Sequence, residues 1–238
     1  MRQWLPAALI VLSAAISICA QDQSETKHNA RPNQATTAAA PVGNNNSSDP
    51  VKYTYEFSQP KFYVKHITIQ HDANGRGTVT FERLNEDASV SEPLQLSAAA
   101  LGRITTAWQA LQFLDSTADY QADKQFPHLG TMRIGMERGD RKRVAEFNWT
   151  KDDNASTLVN EYRKAADQVI LIFDISIARQ NQPLNAPKLM EAMESLLNRN
   201  ALSDPQQLLP LLKELSTDER VPLIARNHAL RLVKKIQK

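Results

Sequence analysis

Histidine exchanges protons near neutral pH and is the commonest metal ligand, so the five histidines mark where chemistry would begin. They are His28, His66, His71, His128 and His228. His66 and His71 stand five apart in a strand-like stretch, where a regular pleat turns them to opposite faces. A β-bulge between them would bring them to one face, beside the carboxylate of Asp72. A hydrolase-like centre would have to gather His66, His71, His128, Asp72 and Asp123, because triads are spatial constellations. Spacing alone gives none of them a role. No residue is therefore assigned as catalytic, cofactor-binding or metal-ligating.

Other polar clusters read as structural. In Asp72-Ala73-Asn74-Gly75 the glycine is fourth, and the twelfth residue from Asp72 is Arg83. A calcium loop needs glycine sixth and glutamate twelfth, so a hairpin turn is the better reading. Asp152-Asp153 and Asp218-Glu219 fall at expected helix starts, where carboxylates suit capping and the helix dipole. No glycine-rich phosphate loop, G-x-S-x-G elbow or H-E-x-x-H pair occurs. Arg138-Gly139-Asp140, followed by Arg141, Lys142 and Arg143, reads as a solvated basic hairpin tip. Asn148-Trp149-Thr150 and Asn154-Ala155-Ser156 match glycosylation acceptors, which matter only in a host with that pathway.

The elements that would position these residues begin after a targeting segment. Arg2, an apolar run over 4–18 and small Ala20 read as a signal peptide over 1–20, cleaved after Ala20. Cys19, the single cysteine, offers the alternative of a lipid anchor, although Ile18 before it is larger than a lipobox prefers. Residues 21–50, rich in Gln, Asn, Ala, Thr, Ser and Pro, read as a disordered linker. The chain carries 28 Lys plus Arg against 26 Asp plus Glu. That balance argues against a nucleic-acid partner, and no transmembrane span is expected in the mature chain.

Residues 51–182 read as an α+β domain. Tyr53, Tyr55 and Phe57 alternate as a strand. Phe62 to His71 form a second strand whose apolar parity flips near Lys65-His66, which predicts a bulge, and Thr78 to Leu84 form the return strand. Residues 85–96 read as polar linker containing Pro93. Ser97 caps a helix expected to reach Leu114, with Leu101, Ile104, Trp108 and Leu111 on its core face. Met132, Ile134 and Met136, then Ala145, Phe147 and Trp149, predict an antiparallel hairpin with one dry face. A helix from about Asn154 to Arg179 follows, its last turns buried all round. The expected fold is antiparallel hairpins, each followed by a packing helix, then an all-helical C-terminal cap.

Residues 183–238 supply that cap. Leu208-Leu209-Pro210-Leu211-Leu212, an Asp218 turn, and Val221, Ala225, Ala229 and Leu232 at helical spacing follow one another. Over 204–236 this resembles a single HEAT-type repeat, which implies a helical pair with an aliphatic core. The whole layout resembles exported bacterial proteins of unknown function, and that resemblance gives no residue a role. The expectation is a non-catalytic periplasmic or secreted module that binds a protein or envelope partner through hairpin tips or the helical cap. The hydrolase-like centre is the alternative. An inhibitor or chaperone of a periplasmic enzyme would instead show a concave, exposed apolar or aromatic sheet face.

Overall fold

Alternating aromatic and polar residues place β1 (Val51–Ser58) at the centre of a six-stranded antiparallel sheet. The other strands are β2 (Val64–Asp72), β3 (Arg76–Arg83), β4 (Val90–Gln95), β5 (Thr131–Arg138) and β6 (Arg141–Phe147). Their order is β4-β3-β2-β1-β5-β6. The computed structural model describes residues 49–238, so the segment expected to be a signal peptide, Cys19, His28 and nearly all of the segment expected to be a linker lie outside the described residues.

Register aligns the apolar residues into rows on one face. Phe81, Ile67, Phe57, Met132 and Phe147 form one row, and Val79, Ile69, Tyr55, Ile134 and Ala145 the next. Nearly all are buried, whereas Thr54, Glu56, Thr68, Gln70 and Arg133 line the wetter face. The expected parity flip is present as a register shift between Val64 and His66 in the β2–β3 ladder. Residues 85–96 depart from expectation. They contain β4, which pairs with β3 alone. An edge strand tolerates Pro93 because one side of its ladder needs no donor.

Helix α1 (Ala98–Ala110) begins where expected, with the Ala100 amide donating to Ser97 Oγ at 3.2 Å. It stops four residues short of Leu114, where Gln112 takes a left-handed φ of 45°. Helix α2 (Asp153–Asn181) is capped by Asp152, whose carboxylate accepts the Ala155 amide at 2.8 Å. Its buried residues from Ala155 to Ile170 join the sheet core. Leu171 and Ile175 join a second core with α3 (Ala186–Asn198), α4 (Leu209–Thr217) and α5 (Leu223–Ile236). The end of α2 is not buried all round, since Ile177 is exposed. No described helix is long and apolar enough to cross a membrane.

Polar bonds tie the two cores together. Arg103 Nε on α1 donates to Glu161 on α2 at 2.7 Å, and its Nη2 donates to the Ser203 carbonyl at 2.7 Å. Gln168 donates to Gln207 at 3.0 Å and accepts the Asp204 amide at 2.9 Å. Arg179 donates to Asp218 and Glu214 at 2.6 and 2.8 Å. Arg83 forms an ion pair with Asp174 and lies 5.1 Å from the Phe81 ring centre.

Two glycines give opposite predictions. A Cβ on Gly77 would lie 1.8 Å from the Gln70 carbonyl oxygen, a backbone clash at the hairpin end of the β2–β3 ladder. Gly77→Ala is expected to lower unfolding free energy in urea by about 3 kcal/mol or more. Gly102, on exposed α1 surface, has nothing within 4 Å of such a Cβ. Gly102→Ala is expected to raise stability by about 0.5–1 kcal/mol.

Candidate functional site: an aromatic cleft beside the long helix

Six strands at about 4.8 Å spacing make a sheet about 24 Å across, while two helices packed 8–10 Å apart cover about 20 Å. Trp108 of α1 meets Tyr53, with ring centres 5.5 Å apart, and Phe173 of α2 meets Phe81 edge-on at 5.5 Å. The ends of β5 and β6 beside α2 are only partly covered, with Met132 half-buried over a buried Phe147. A cleft of about 640 Å³ opens there, a size common for ligand sites. Met132 and Phe147 form its floor, Val159 and Arg163 of α2 a wall, and Phe62, Leu129 and Trp149 its rim.

The rim is braced from below. The Gln59 side chain donates to the carbonyls of Pro127 and His128, both at 3.0 Å, joining the turn before Phe62 to the loop before Leu129. Gly130 takes a φ of 93°, and a Cβ there would meet the Phe57 ring at 2.6 Å. Trp149 lies beyond the end of β6, and the sequence reading that put it in the dry row with Phe147 is corrected. Its carbonyl accepts the Ala122 amide at 2.9 Å, and its ring stands edge-on to Phe126 at 5.4 Å. Both outer aromatics stay accessible, Phe62 at 38% and Trp149 at 45%.

The charges are distributed along the helix. Arg163 lies 4.8 Å over the Phe57 ring and forms no ion pair among the described residues. Asp153 lines the cleft ten residues earlier, about 15 Å along the axis. The cleft thus offers an apolar floor, two aromatic platforms, a guanidinium at one end and, at the other, the Asp153 carboxylate close to Lys151. Its aromatics come from segments far apart in sequence. Only Trp149, an aromatic expected on a dry face just past a strand end, carried a local hint.

The five residues weighed for a hydrolase-like centre are dispersed. His66 contacts the Thr68 hydroxyl at 3.1 Å, and His128 is exposed against Phe126. Asp123 forms a surface pair with Lys151 at 3.1 Å. The Asp72 carboxylate accepts the amides of Asn74 and Arg76 at 2.8 and 2.9 Å, fixing the hairpin turn. His228 is buried on α5 and bonds Glu194 at 2.9 Å. Among the described residues, no group of three or more His, Cys, Asp or Glu could hold a metal ion.

His71 is buried in a polar chain. Trp108 Nε1 donates to the Tyr162 hydroxyl at 2.9 Å, and that hydroxyl donates to His71 Nε2 at 2.8 Å. His71 Nδ1 then donates to the Asp72 carbonyl at 2.7 Å, which defines the neutral tautomer. The basic hairpin tip is also engaged internally. Arg141 pairs with Asp115 and Lys142 with Glu137, while Arg143 donates to the carbonyls of Phe113 and Ala118 at 2.7 and 2.6 Å.

Burial pushes the His71 pKa below its usual value, so the folded state holds it neutral while the unfolded chain takes up the proton. Stability is then full above about pH 6.5 and declines as pH falls through the lowered pKa. The melting temperature is expected to drop from pH 7 to pH 5, and His71→Gln should flatten that drop. Thermal unfolding followed by circular dichroism across this range reads both.

A scan against protein-family models finds no match to this chain, and a search of curated proteins finds none either.

Proposed function

We propose that this chain is a non-catalytic exported protein that holds an apolar segment of a partner protein in the aromatic cleft. The observation that carries the reading is the cleft at the β5–β6 end of the sheet, where exposed Phe62 and Trp149 flank half-buried Met132 above buried Phe147. Soluble proteins bury such residues unless a partner covers them. Aromatic and aliphatic anchors in a preformed cleft supply most of the binding energy in protein recognition, and methionine adapts to varied side chains. Arg163 and Asp153, about 15 Å apart, would orient an extended segment of four or five residues. This is the inhibitor- or chaperone-like form of a binding module.

Residues 1–20 support export to the periplasm or beyond, with release after Ala20 or retention through a lipid on Cys19. Residues 21–50 would then give the domain reach from its point of attachment. We read the helical pair over 204–236 as one HEAT-type repeat that caps α2, since a lone repeat lacks the neighbours a solenoid needs.

Selection of a random heptapeptide phage library on the immobilised chain tests the reading. Enriched peptides are expected to share a Trp, Phe, Leu or Met anchor. Trp149→Ala should weaken them by about 2 kcal/mol without moving the melting temperature. No enrichment, or enriched peptides indifferent to Trp149→Ala, would overturn it.

A further inference from the structure

The overall charge balance conceals a sharp asymmetry. Residues 220–238 hold Arg220, Arg226, Arg231, Lys234, Lys235 and Lys238 and no Asp or Glu. Taking those six from the 28 cations leaves 22 against all 26 acidic residues, so the rest of the chain is net −4. The whole positive excess therefore sits on α5 and its flanks.

The helix also faces solvent with aliphatic residues. Ala225, His228, Ala229, Leu232, Val233 and Ile236 point into the second core, which spends the inward face of α5. On the outward side, Leu223 is 61% and Ile224 67% exposed, and Leu230 is exposed one to two turns later. Arg231, Lys234 and Lys238 share that side. None of the three forms an ion pair among the described residues, whereas Lys235 is drawn to Glu194 and Arg220 to Asp218. Aliphatic side chains at one end and unpaired cations at the other thus lie along about 21 Å of helix.

We propose that the outward face of α5 docks on an anionic lipid bilayer surface. Lysine and arginine are drawn to acidic headgroups, and leucine and isoleucine enter the boundary between headgroups and acyl chains. A nucleic acid or an acidic protein would satisfy the cations but leave Leu223 and Ile224 in water. The surface is separate from the aromatic cleft, so a partner held there and a membrane below α5 do not compete for the same residues.

Vesicle co-sedimentation tests this with the full chain. Vesicles of phosphatidylglycerol and phosphatidylcholine (3:7) are compared with pure phosphatidylcholine. Residues 4–18 are apolar themselves, so the readout is the ratio of binding to the two vesicle types. A ratio of about tenfold or more in 50 mM salt is expected, falling at 500 mM as the cations are screened. Arg231→Glu with Lys234→Glu should bring the ratio near one. Leu223→Ser with Ile224→Ser should reduce anionic binding several-fold, and all four positions are exposed, so the melting temperature should hold. Equal binding to both vesicle types would overturn the proposal. So would loss on charge reversal with no change in the serine pair, which would mark the face as a site for an acidic polymer.

Discussion

One helix holds both halves of this protein together. The side chains of α2 from Ala155 to Ile170 complete the sheet core, and Leu171 and Ile175 begin the core of the helical cap. A helix of 29 residues has little stability of its own in water, so its length depends on apolar partners at both ends. The sheet needs α2 equally, because without it the rows through Phe81, Ile67 and Phe57 would face solvent. The polar bonds from Arg103, Gln168 and Arg179 fix the rotation of this shared element. The cleft follows from the same arrangement, since a helix committed to β2, β3 and the cap cannot also cover the ends of β5 and β6.

Local features were legible in the sequence because they are written in neighbouring residues. The parity flip near Lys65-His66 became the register shift, and Ser97 and Asp152 cap where their side chains suggested. Val169 to Ile177 is nearly continuous in apolar character, yet it continues the helix that begins at Asp153. β4 was hidden because an edge strand is half wet, and Val90-Ser91-Glu92-Pro93 carries no apolar alternation. Trp149 was misplaced because alternation continued two residues past Phe147, where the ladder stopped.

The site was harder to read because its parts are remote from one another. Phe62, Leu129, Trp149 and Arg163 belong to a turn, a loop, a strand end and a helix, and nothing local couples them. The basic tip shows the opposite failure. Arg141, Lys142 and Arg143 form a conspicuous run, but their partners Asp115, Glu137 and the Phe113 and Ala118 carbonyls are visible only in three dimensions. A charge total was equally uninformative about α5, where the sum hides the location.

The position of β1 in the sheet has a further meaning for assembly. As the first strand, β1 pairs with β2 immediately, but its other edge is filled by β5, with Val51 opposite Arg138 and Ser58 opposite Thr131. A chain emerging from its amino end therefore presents the meander β1–β4 with the Val51–Ser58 edge bare until β5, which ends about 80 residues after β1, has followed. That edge is aromatic-rich and free of proline, the character of strands that recruit other chains. The closure of β5 on β1 spans the largest sequence separation in the sheet, and until it forms the bare edge is open to pairing with other chains.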